Sequence, residues 1–77
     1  ELAPDLDGGE TKISLTGSGE AVIENYKGIL QYTDSEILIQ SLRGKVLLCG
    51  RNLEIVWYTS LEMKITGAIS SILLQQR

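Results

Sequence analysis

From residue 11 to residue 74 apolar and polar side chains alternate with a period of two, and glycine or a small polar cluster interrupts the alternation every six to ten residues. Successive side chains on a strand point to opposite faces, so this is the pattern of short strands joined by tight turns. Ile13 and Leu15 alternate with Lys12, Ser14 and Thr16 before Gly17-Ser18-Gly19, which reads as a turn. Further strands are expected at 20–26, 28–33, 36–42, 45–49, 52–58, 61–66 and 68–74. Between them stand Asn25-Tyr26-Lys27-Gly28, Thr33-Asp34-Ser35, Arg43-Gly44 and Gly50-Arg51-Asn52, all with turn chemistry, while Gly67 fits a turn or a bulge. No window of about eleven residues keeps a helical stripe. The expected fold is all-β, a single small domain of about 7–8 short, mainly antiparallel strands in a meander that forms a sandwich or a small barrel.

Sliding the sequence against itself by 26 positions aligns Ile29-Leu30-x-Tyr32-Thr33-x-x-Glu36-Ile37-x-Ile39 with Ile55-Val56-x-Tyr58-Thr59-x-x-Glu62-Met63-x-Ile65. Either a strand, a Thr-containing turn and a second strand opened by Glu are used twice, or two hairpins built from Ile, Tyr and Thr simply look alike. One alternating set should face the core: Ile37, Ile39, Val46, Leu48, Leu53, Ile55, Trp57, Leu61, Met63 and Ile65. The other face of a half-solvated sheet would be polar. Here it carries Val22, Leu38, Leu42, Leu47, Cys49, Val56, Tyr58 and Leu73 among Gln40, Glu54 and Lys64. Two explanations stand: a closed barrel or sandwich in which these residues are interior, or a second apolar surface that meets another subunit or a partner. A chain of 77 residues gains much from oligomerising, which adds weight to the second.

Composition narrows the picture. A chain this short supports one core, and its 43% hydrophobic content, mostly Leu and Ile, is that of a folded domain. Of 10 acidic and 7 basic residues, Glu1, Asp5, Asp7 and Glu10 fall in the first ten positions, together with Pro4 and Gly8-Gly9. Residues 1–10 therefore read as an acidic tail or linker and 11–77 as the β domain. The remaining body is close to neutral, so no nucleic-acid partner is expected. The chain opens on Glu1 rather than Met, which reads as an excerpt of a longer protein or a trimmed product. Its longest apolar runs, 46–49 and 55–58, are four residues each, where a bilayer span needs about 20. Neither a transmembrane segment nor a signal peptide is expected, and a lone cysteine makes no intrachain disulfide, so the expected location is cytoplasmic.

With no His and one Cys, tetrahedral zinc sites, Ser-His-Asp triads and Cys-His pairs each lack an obligatory member, and no enzyme is expected. No catalytic residue, cofactor or metal is assigned. Asp5-Leu6-Asp7-Gly8 has the opening of a calcium loop without the later ligands or closing Glu. Cys49 sits where a small buried hydrophobe belongs, Glu36 and Glu62 read as exposed strand starts rather than an acid-base pair, and Trp57 is a core plug or an interface anchor. The candidate interaction surface is Leu38, Leu47, Val56 and Tyr58, with Arg43, Lys45 and Arg51 around two glycine turns. These cations either steer an acidic partner, such as a neighbour's tail, or are solvated turn charges.

Taken in order, Thr11-Lys12-Ile13-Ser14-Leu15-Thr16-Gly17, Val22-Ile23-Glu24-Asn25-Tyr26-Lys27-Gly28-Ile29-Leu30-x-Tyr32-Thr33, Gly44-Lys45-Val46-Leu47-Leu48-x-Gly50-x-x-Leu53-x-Ile55 and Glu62-Met63-Lys64-Ile65-Thr66-Gly67-Ala68-Ile69 resemble the YabP/YqfC family of endospore-formation proteins, closer to its YqfC-like members. The resemblance runs from Lys12 to Leu74, and Ile23-Glu24-Asn25-x-x-Gly28-Ile29 is its most specific piece. It departs from the family at Thr11-Lys12, where a Pro-Arg pair would stand, and in the acidic stretch ahead. The resemblance implies a non-catalytic structural or adaptor protein of spore-forming Gram-positive bacteria, at work in the mother cell on the spore envelope. Its implied partners are further copies of itself, a sporulation membrane protein, or both, with a peripheral position at the forespore membrane. The competing expectation is an OB-like or SH3-like barrel that binds nucleic acid or peptide. Such a barrel wants aromatics gathered on one face and a basic groove, whereas Tyr26, Tyr32, Trp57 and Tyr58 are scattered.

Overall fold

The computed structural model describes residues 10–76, so of the acidic tail only Glu10 falls within it, and the Asp5-Leu6-Asp7-Gly8 stretch lies outside the described residues. Six strands form one antiparallel sheet: β1 (Lys12–Thr16), β2 (Glu20–Glu24), β3 (Gly28–Tyr32), β4 (Glu36–Gln40), β5 (Gly44–Tyr58) and β6 (Glu62–Gln76), in the spatial order β1-β2-β6-β5-β4-β3. The all-β expectation holds, and no helix occurs among the described residues. The strand count is six rather than seven or eight because the last four expected strands merge pairwise into β5 and β6, each of 15 residues.

The merger has a steric cause. Gly50-Arg51-Asn52, expected as a turn, is a bend inside β5, and Gly67 is the matching bend inside β6, where the register between the two strands shifts. A Cβ at Gly50 would lie 2.0 Å from the Ala68 carbonyl oxygen, and one at Gly67, whose φ is 135°, 2.6 Å from that of Asn52. Only glycine lets the two backbones approach this closely at the bend.

Because both long strands bend, the sheet doubles over into two layers. In the first, residues 62–66 of β6 lie between β2 and residues 54–58 of β5, with β1 outside β2. In the second, residues 45–49 of β5 lie between β4 and residues 71–75 of β6, with β3 outside β4. Ile23, Met63 and Ile65 of the first layer and Ile37, Ile39 and Leu48 of the second are fully buried in one cluster, with Leu53 at the bend beside them. A sheet face reaches that burial only when covered, and with no helix among the described residues each layer is the other's cover. The end strands β1 and β3 do not pair with each other, so the sheet is a bent sandwich with open edges rather than a closed barrel.

The internal echo is structural. Glu36 through Gln40 pair with Cys49 back through Lys45, and Glu62 through Thr66 pair with Glu24 back through Glu20, in the same relative register. Thr33 N–H donates to the Glu36 carbonyl and Thr59 N–H to that of Glu62, both at 2.8 Å. In each turn the Thr hydroxyl also accepts from two backbone N–H groups, those of Ser35 and Glu36 in one and of Leu61 and Glu62 in the other. Register breaks fall at equivalent places too, between Ile29 and Gln31 and between Ile55 and Trp57. The two layers are thus built on one plan, each around a copy of the same hairpin.

Candidate interaction surface

Equivalent positions on the two outer faces carry different chemistry. Across the first layer one row reads Ser14, Val22, Lys64 and Trp57. Beside it lie Glu20, Glu24 and Glu62, and the Lys64 ammonium is 3.2 Å from the Glu20 carboxylate. In the second layer the equivalent row reads Leu73, Leu47, Leu38 and Gln31. Leu38 and Leu47 are half-buried, and Leu73, at the sheet edge, is 51% exposed. Leucine stands where the first layer has lysine, valine and serine, so the second layer presents an apolar row that no described element covers, flanked by Gln40, Lys45 and Gln75 on one side and by Glu36, Cys49 and Ser71 on the other.

The structure brings together only part of the expected surface. Leu38 and Leu47 are direct cross-strand neighbours. Val56 and Tyr58 belong to the other layer, Val56 at the register break and Tyr58 opposite Met63. The break reverses the alternation beyond Ile55, which turns Trp57 outward opposite Lys64 at 42% exposure and moves Tyr58 to the inner side of its edge strand, 65% exposed. Trp57 is therefore not a core plug, and Leu61, also expected inside, lies in the turn at 68% exposure. Leu73 completes the leucine row through the register Leu47↔Leu73.

The three cations do not converge. Arg43 precedes β5, and its Nε lies 3.2 Å from the Glu10 carboxylate. Lys45 is near it, on the outer face between Gln40 and Gln75. Arg51 lies at the bend, six residues along β5, about 20 Å away at strand rise. Arg43 and Lys45 help line a cavity of about 200 Å³ with Glu10, Ile13, Val46 and Leu74. Glu10, counted with the tail, is held by the domain: besides the Arg43 contact, its carbonyl accepts from the Asn25 side-chain amide at 3.1 Å.

Where the free edges of β3 and of residues 54–58 flank one side of the sandwich, tyrosines bridge the layers. The Tyr32 hydroxyl accepts from Ile55 N–H at 2.9 Å, and the Tyr26 hydroxyl donates to the Thr59 carbonyl. Burial, with the nearby Tyr58 phenol adding to it, pushes the Tyr26 hydroxyl above its ordinary value of 10.0. Cys49 is half-buried on the outer face between Glu36 and Ser71.

A family model described as the YabP family matches residues 7–77. The chain is also similar to the uncharacterized protein YqfC of Bacillus subtilis (strain 168), 25% identical over 72 residues, a match that covers 94% of this chain and 77% of that protein. No solved structure matches it. Among the described residues no helix is long and apolar enough to cross a membrane.

Proposed function

We propose, from the premise that this chain belongs to the YabP family, that it is a non-catalytic structural or adaptor protein of endospore formation. It works in spore-envelope assembly, in the mother-cell cytoplasm at the forespore surface, by associating with itself or with a sporulation membrane protein. The observation that carries the reading is the outer row Leu38, Leu47 and Leu73 on a layer whose twin, built on the same plan, carries Lys64, Val22 and Ser14 there. A solvated face has no use for such a row, and a face that is covered does.

The test is size exclusion with light scattering, with and without a co-expressed sporulation membrane protein, on the wild type and on Leu47→Lys. A lysine there is solvated in the free domain and desolvated only in a complex. The variant is expected to melt as the wild type does and to lose self-association or partner binding. An unfolded Leu47→Lys would mean that the row belongs to the core. A folded variant with unchanged mass and binding would refute the interface.

A further inference from the structure

We infer that the outer edge of β6, from Ser71 to Gln75, pairs with the same edge of a second copy of this chain, antiparallel across a two-fold axis. The inference rests on the reading above and specifies where self-association occurs. On its inner side this stretch pairs with β5, and no second strand pairs with it among the described residues. It therefore offers an unpaired row of backbone donors and acceptors, which sheet edges ordinarily guard with charge, proline, bulges or shortness.

The other three edges are guarded. β1 is five residues long and begins with Lys12. Residues 54–58 carry Glu54 and the register break at Val56, and β3 is five residues long with a break at Leu30. The β6 edge from Ser71 to Gln75 is no longer than these, but no charge, proline or register break interrupts it. Residues 67–76 contain no charge and no proline, and from Ser71 to Gln76 the register runs without a break. Leu73 and Leu74 flank this edge on opposite faces, 51% and 58% exposed.

A second copy is the occupant that this chemistry selects. An uncharged strand meets itself antiparallel without bringing like charges opposite one another. The row Leu38, Leu47 and Leu73 ends at this edge, so pairing continues it into its own copy and covers Leu73. Each copy uses one edge, while β3 at the far side of the layer is guarded, so the assembly closes as a dimer.

Light scattering and residue-resolved amide hydrogen exchange on the full chain test this together. The wild type is expected at twice the monomer mass, with amides on both sides of residues 71–75 protected; on dilution to the monomer the outward-facing ones lose protection. Ser71→Lys with Leu73→Lys is expected to halve the mass without changing the circular dichroism melt, while Tyr58→Lys leaves the mass at the dimer value. If the double variant does not fold, the dilution-dependent protection in the wild type decides. A dimer whose outward amides at 71–75 exchange freely, or a folded double variant that stays dimeric, would overturn the edge assignment and leave self-association standing. A monomeric wild type that still binds a membrane protein would overturn the edge while sparing the function, and one that binds nothing would overturn both.

Discussion

At the scale of single residues, two positions carry more than their size suggests. The Tyr26 hydroxyl ties the β2–β3 connection to Thr59 in the turn between β5 and β6. Tyr26→Phe removes that bond and leaves the carbonyl without this donor, at a cost of about 1 kcal/mol, read from urea denaturation near neutral pH. The same change alters the alkaline limb. The Tyr26 pKa is raised in the folded state, so the folded protein holds this proton more tightly than the unfolded chain does. The resulting stability is complete below about pH 10 and is lost as pH rises through the folded value. The wild type should lose stability more steeply than Tyr26→Phe across that interval. At Gly50 the argument is steric: a methyl 2.0 Å from the Ala68 carbonyl oxygen cannot be accommodated by rotating a side chain. Gly50→Ala is expected to cost more than about 4 kcal/mol or to prevent folding, as seen in the thermal melt.

Among the elements, the repeated hairpin makes a matched pair of predictions. Thr33→Val and Thr59→Val each remove one hydroxyl that accepts two backbone N–H bonds at distances between 2.9 and 3.2 Å. Each should cost about 1–2 kcal/mol, and the two losses in denaturation free energy should be alike. A large disparity would mean that only one turn is built as described. The strands themselves were legible from period-two alternation, and the hairpin echo from a 26-residue offset. The bends were not, because Gly50-Arg51-Asn52 has the chemistry of a turn, and only the approach of Ala68 decides that the strand continues. The register break at Val56 was equally hidden, since one skipped residue leaves composition unchanged but reverses which of Trp57 and Tyr58 faces out. Hence the shared face of Leu38 and Leu47 is legible in the sequence, whereas Val56 and Tyr58 lie in the other layer, at and beyond a register break that the sequence does not show.

For the molecule as a whole, β5 and β6 each run through both layers, so neither layer can come away without tearing strands that the other needs. Unfolding should be a single cooperative transition, with Trp57 fluorescence, which reports the first layer, and far-UV circular dichroism sharing one midpoint. Two separated midpoints would show layers that melt independently. The dichroism itself should be that of β structure with little helix, given a core drawn wholly from strands and the bend between them. The difference between the two outer faces has a consequence of its own. Layers folded alike but dressed differently give the molecule a top and a bottom. Whatever surface takes up the leucine row fixes which way up each copy lies, and copies laid side by side would all turn Lys64 and its surrounding glutamates toward the water, a uniform charged coat on the side away from the contact.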